Sequence, residues 1–173
     1  MEALRMAFVL TVLRLTGLVF GLIVVTCIAS TLSDTYGNDF LIIRVCYFDH
    51  QDGACDFGMA CGSLTVLVAA LICGFDFVGS HSAAVQQFRQ IVLLVSSGVA
   101  VLISIMWLVC FVILRKLWNE GLGNDLPDEY KRSGQTTLAF SLLSIPLWAA
   151  VAVVGFLAFR SNTAASQAKS NFS

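Results

Sequence analysis

Ile91-Val-Leu-Leu-Val-Ser-Ser-Gly-Val-Ala-Val-Leu-Ile-Ser-Ile-Met-Trp-Leu-Val-Cys-Phe-Val-Ile-Leu114 contains no Asp, Glu, Lys or Arg. A bilayer hydrocarbon core of about 30 Å is crossed by about 20 apolar residues of helix, so this stretch is long enough to span a membrane. Three further runs read the same way: Leu15 to Leu32, Phe57 to Phe75 and Thr136 to Phe159. The connections at 33–56, 76–90 and 115–135, and the tail at 160–173, are too short for a separate soluble domain. The expectation is one domain over 1–173: an all-α membrane protein, a four-transmembrane-helix bundle with a short polar tail.

Composition agrees with this placement. Of 173 residues, 58% are hydrophobic and 12% charged, and the mean hydropathy is +0.85, so no water-soluble surface can be assembled from the chain. The formal net charge of -1 supplies no basic excess for nucleic-acid phosphates. The lipid bilayer is the expected partner, and nucleic acid is not.

Arg5, an apolar run and the small residues Ala29 and Ser30 also fit a secretory signal peptide, but the run is read here as a retained span. Arg14 interrupts apolar sequence that begins at Met6, so the helix is expected to start near Met6 with Arg14 snorkelling to a headgroup. Basic residues do not fix the orientation. Arg5, Arg14, Arg89, Arg160 and Lys169 fall on one side, against Arg44, Arg115, Lys116, Lys131 and Arg132 on the other. Cysteines bear on it instead, because Cys46 and Cys55 share the first connection and Gly53 between them allows a turn. A disulfide closing that loop would persist only in a lumen or outside the cell, which puts both termini in the cytosol. The alternative, two reduced thiols beside a membrane, stays open. Cys27, Cys61, Cys73 and Cys110 lie within spans and read as small hydrophobes, Cys73 also being a candidate for acylation.

The first connection carries Asp34, Asp39, Asp49, Asp52 and Asp56 against Arg44 alone. The spacing matches no calcium loop and His50 is the one imidazole nearby, so a solvated acidic loop is the preferred reading and no metal is expected. His81 lies in the next connection, across the membrane from His50. HExxH, GxSxG and phosphate-binding glycine motifs are absent, as are paired carboxylates within spans. No catalytic residue, no cofactor and no enzymatic activity are expected, and transport is disfavoured.

Small residues remain. Gly17 with Gly21, and Gly58 with Gly62, form two GxxxG pairs that allow close helix approach. With span one starting near residue 15, the first pair falls in its first half and the second pair at the opposite end of span two, so the two are not expected to face each other. Packing within the bundle is preferred to an oligomer contact, and a homo-oligomer stays open. Pro146, in the middle of span four, removes a backbone hydrogen bond and is expected to kink the helix, with Ser141 or Ser144 satisfying the freed carbonyl. Trp118 follows Arg115 and Lys116 and reads as an interfacial anchor, whereas Trp107 and Trp148 read as core.

These residues, in order, resemble the synaptogyrin family of MARVEL-type four-span proteins. Cys46, Phe48, Ala54, Cys55, Phe57 and Gly58 are similar to its lumenal cysteine loop, and Phe75-Asp76 to the exit of its second span. Trp107, Phe111 and Trp118 match its third span. Ala139-Phe140-Ser141-Leu-Leu-Ser144-Ile145-Pro-Leu-Trp148, followed by Phe159-Arg160, matches its fourth. The family usually has a longer first cytosolic segment containing Phe-Asp-Pro where this chain has Met1 to Arg5, and often a tyrosine-rich tail where Ser161 to Ser173 has no tyrosine. The sequon Asn171-Phe-Ser173 is expected to stay unused in the cytosol.

What the resemblance implies is a multi-pass protein of secretory or synaptic-type vesicles, both termini cytosolic, that organises vesicle membrane, cargo sorting or regulated exocytosis. Its implied partners are other vesicle membrane proteins, the vesicular proton pump being an extrapolation from the synaptophysin relatives. The second reading is an accessory subunit binding laterally to a channel, pump or transporter.

Overall fold

The computed structural model describes residues 2–36, 43–46, 53–79, 83–120 and 128–170. Four long helices carry the fold: α1 (Glu2–Cys27), α2 (Gly53–Gly79), α3 (Ala83–Glu120) and α4 (Asp128–Ser170). Each contains a stretch long and apolar enough to cross a membrane: Arg5–Ser30, Gly53–Phe77, Gln90–Asn119 and Lys131–Ala164. The last three exceed the charge-free runs at both ends and the first at its start, because helix hydrogen bonding continues into flanking residues whose side chains can reach the headgroups.

The helices form a closed ring in which α1 packs on α2 and α4, and α3 on α4 and α2. The α3–α4 seam is the most extensive and the α2–α3 seam the least. Neighbours run antiparallel, so one end of the bundle gathers the start of α1 with the end of α4. This is termed the terminal end.

The opposite end carries a feature the sequence reading missed. After α1 the chain makes a π-helical turn, Ile28–Leu32, and then a two-stranded antiparallel hairpin of β1 (Ser33–Tyr36) and β2 (Ile43–Cys46). Its register pairs Ser33 with Cys46, Asp34 with Val45, Thr35 with Arg44 and Tyr36 with Ile43. Four residues per strand are too few to leave a hydropathy signature among longer apolar runs.

The core is apolar, with Val24, Ile28, Ala69, Ala100, Trp107, Cys110, Leu114 and Trp148 fully buried. An edge-to-face pair, Phe20 and Phe140 with centroids 4.9 Å apart, joins α1 to α4. The outward surface is apolar as well, including Phe8, Leu71, Leu102 and Val153. A bundle whose outward surface is as apolar as most of its core matches lipid rather than water as its solvent.

α4 runs as one helix through Pro146. Ser141 and Ser144 do not act where the sequence reading placed them. The proline leaves the Leu142 carbonyl, four residues back, without its amide donor. Ser141 Oγ instead donates to the Thr137 carbonyl at 2.7 Å, and Ser144 Oγ to the Phe140 carbonyl at 2.7 Å. Each hydroxyl reaches back one turn along its own helix, which is the ordinary geometry of serine in an apolar helix. Beside the proline, a bond comes from another helix, though not to the freed carbonyl: Ser104 Oγ on α3 donates to the Ile145 carbonyl at 3.0 Å.

Candidate functional site: a buried ion pair and the close helix contacts

Arg14 is the largest departure from the sequence reading. It does not snorkel to a headgroup; its residue is 1% exposed and lies within the bundle. One guanidinium nitrogen, Nη1, forms an ion pair with Asp76 Oδ2 on α2, and the other, Nη2, donates to Ser96 Oγ on α3 at 3.0 Å. Ser96 Oγ in turn donates a hydrogen bond to the Leu93 carbonyl at 3.0 Å. One charged side chain thus ties three helices together near the terminal end. The physical reason is the antiparallel pairing of α1 and α2, which brings the last turn of α2 alongside the first half of α1. A charge in hydrocarbon is costly and is kept where a partner neutralises it. Arg14 Nε has no hydrogen-bond partner, so the pairing is incomplete. Asp76 remains 41% exposed at the rim.

The glycines lie in the seams between helices. A Cβ on Gly21 would stand 3.0 Å from the Gly62 carbonyl oxygen, and a Cβ on Gly62 would stand 3.1 Å from the Gly21 oxygen. The two GxxxG pairs therefore do meet, contrary to the expectation from sequence. With α1 beginning at Glu2, Gly21 lies past its middle, toward the end at which α2 begins and Gly62 lies. Gly17 faces the Trp148 ring of α4, and a Cβ on Gly58 would fall 2.6 Å from Ile28 Cδ1. All four glycines are in contact inside this bundle. Two more contacts of the same kind had no sequence signal: Gly134 under the Trp118 ring and Gly155 against Ser97. Trp118 is thus partly buried against α4, at the end of α3 where its interfacial role was expected.

The interior also holds a hydrogen-bonded rung between α2 and α3. Trp107 Nε1 donates to Thr65 Oγ1 at 3.0 Å, and Thr65 Oγ1 donates to the Cys61 carbonyl at 2.8 Å. Trp148 Nε1 is buried without a hydrogen-bond partner.

Cys27, Cys61, Cys73 and Cys110 are reduced, outside any disulfide, the second and fourth of them buried. Cys55 is buried on the first turn of α2 and is not among the free thiols. The side chain of Cys46 lies outside the described residues, as do His50, His81, Asp39, Asp49 and Asp52. Among the described residues no three His, Cys, Asp or Glu side chains gather as a metal site would require.

Comparison with known proteins gives the arrangement a family. Residues 5–154 match the model of MARVEL, the membrane-associating domain. Human synaptogyrin-1 is 28% identical over 150 residues, covering 84% of this chain, and mouse synaptogyrin-1 is 28% identical over 148 residues with the same coverage. Bovine synaptogyrin-2 is 31% identical over 152 residues, covering 86% of the chain. The matches extend over 62% of the synaptogyrin-1 chains and 63% of synaptogyrin-2, so this chain spans less than two thirds of the length of these relatives. With the family model spanning all four helices, the chain belongs to the MARVEL membrane-associating family and is synaptogyrin-like within it.

Proposed function

We propose that this protein is a non-enzymatic organiser of secretory or synaptic-type vesicle membrane, acting in cargo sorting or regulated exocytosis through the shape of its bundle and its contacts with lipid and other vesicle proteins. The observation that carries the reading is how the polar interior is used. Arg14, Asp76, Ser96, Thr65, Trp107 and Ser104 bond one helix to another, and the outward face is left to apolar side chains such as Leu102 and Phe156. The similarity to the synaptogyrins supports the vesicle assignment.

Both termini are cytosolic in this reading, and Cys46 is bonded to Cys55 in the lumen. Supporting the pairing, β2 ends at Cys46 beside Ser33, at the same end of the bundle from which α2 starts, and Cys55 is not a free thiol. Peptide mapping without reduction tests it: recovery of Cys46 and Cys55 as separate alkylated peptides removes the disulfide and with it the argument for orientation. A protease applied to sealed vesicles should remove a tag at Ser173 before any detergent is added.

The function itself is tested by vesicle fractionation joined to native pull-down and mass spectrometry. Co-sedimentation with small vesicles and recovery of their resident membrane proteins, the proton pump among them, is the expected result. A plasma-membrane distribution with one channel or transporter recovered in fixed ratio would replace this reading with that of an accessory subunit.

A further inference from the structure

Two buried thiols face each other across the thinnest seam of the bundle. Cys61 on α2 is 2% exposed and Cys110 on α3 is 0% exposed. Their juxtaposition is fixed independently by the neighbouring rung, in which Trp107 Nε1 reaches Thr65 Oγ1 at 3.0 Å. On antiparallel helices, one turn back along α2 from Thr65 and one turn forward along α3 from Trp107 leads to the next facing pair, Cys61 and Cys110. Neither thiol takes part in the ion pair or in the glycine contacts.

We propose that Cys61 and Cys110 are a redox couple: a bilayer-soluble organic hydroperoxide oxidises them to a disulfide that staples α2 to α3. Both positions lie well inside the apolar windows of α2 and α3, where water-soluble oxidants are excluded and a lipid hydroperoxide is at home. Buried thiols are ordinarily inert, so the reaction needs an opening. The α2–α3 seam supplies one, being the least extensive contact between neighbouring helices. Leu108 and Val109, next in sequence to Trp107 and Cys110, and Leu64, next to Thr65, are exposed on the outward surface.

The chemistry balances with the hydroperoxide as the only added reactant. The sulfur of one thiol attacks the terminal peroxide oxygen; the O–O bond breaks, the alcohol leaves with the thiol proton, and a sulfenic acid forms. The second thiol attacks that sulfur, forming the S–S bond and releasing water, which carries the second proton. Two electrons pass from the two sulfurs to the peroxide. Closing from facing thiols to a bond of about 2.05 Å draws the two helices together at this level, so oxidation tightens the seam through which the oxidant entered.

The test uses the full chain in liposomes containing a phospholipid hydroperoxide, with peptide mapping by mass spectrometry before and after a membrane-permeant reductant. The expected result is the loss of the Cys61 and Cys110 thiols with one cross-linked species, Cys61 to Cys110, which the reductant reverses. A Cys27→Ser/Cys73→Ser variant should give the same cross-link, and Cys110→Ser or Cys61→Ala should give none. The proposal is overturned by oxidation that consumes Cys27 or Cys73 while both Cys61 and Cys110 stay reduced, or by sulfinic acid at either position in place of the bond. Because the primary readout is made on the unmodified chain, failure of a variant to fold leaves it intact.

Discussion

The indole of Trp148 occupies the volume that a side chain at Gly17 would need: a Cβ there would stand 3.0 Å from Cζ2, 3.1 Å from Cε2 and 3.2 Å from Nε1. Trp148 is fully buried on α4, so this contact sets how closely α1 and α4 approach.

The replacement of Gly17 and Gly21 together by Leu is therefore expected to prevent assembly rather than to block a partner. Single alanines separate the two contacts. Gly21→Ala meets the Gly62 backbone, which cannot move aside, and should cost about 1–3 kcal/mol, the usual range for overpacking. Gly17→Ala meets the edge of a ring that can shift by a few tenths of an ångström and should cost less. Unfolding in detergent gives the order; equal stability of Gly21→Ala and the unmodified chain would remove the close contact between α1 and α2.

Breaking the ion pair from its acidic side should be the most damaging single change near the terminal end. Asp76→Asn leaves Arg14 charged and buried with Ser96 as its remaining partner. The expected loss is about 2–3 kcal/mol, below the range for a fully enclosed pair because Asp76 is 41% exposed. Arg14→Leu with Asp76→Leu removes both charges and should recover most of that stability. A double variant as unstable as Asp76→Asn alone would show that packing rather than charge governs this site.

The bond between Trp107 and Thr65 can be isolated by a double-mutant cycle with Trp107→Phe and Thr65→Val. Hydrogen bonds between membrane helices average about 0.6 kcal/mol, so a coupling of that size is expected. Strictly additive losses would mean that the two groups do not bond in the folded protein.

Pro146 is lipid-exposed and lies inside a helix that continues beyond it. We expect it to bend α4, and Pro146→Ala, which returns an amide donor to the Leu142 carbonyl, to straighten it. Distances between spin labels at the two ends of α4 measure this; an unchanged distance would show that the proline bends nothing.

Much of the fold could be read from the sequence because the bilayer requires long charge-free runs, and four of them stand out. Contacts between helices were harder to read. The Gly21–Gly62 approach is misjudged because the glycines' depth is measured from the charge-free run at Leu15, although the helix itself is expected from Met6 and in the structure starts at Glu2. The signal for the Arg14–Asp76 pair was present, as a basic residue early in one span and an acidic residue late in the next oppose each other in antiparallel helices. It was missed because each was weighed alone. Gly134 under Trp118 and Gly155 against Ser97 had no local signature at all, since a lone glycine acquires meaning only from the helix placed against it.

The ion pair also bears on the order in which the bundle is made. A ribosome completes α1 well before it reaches Asp76, and in that interval the cation of Arg14 stands in the first helix with no anion from its own chain beside it. The first helix thus gains the anion that neutralises its buried cation only once the second has been made to its last turn.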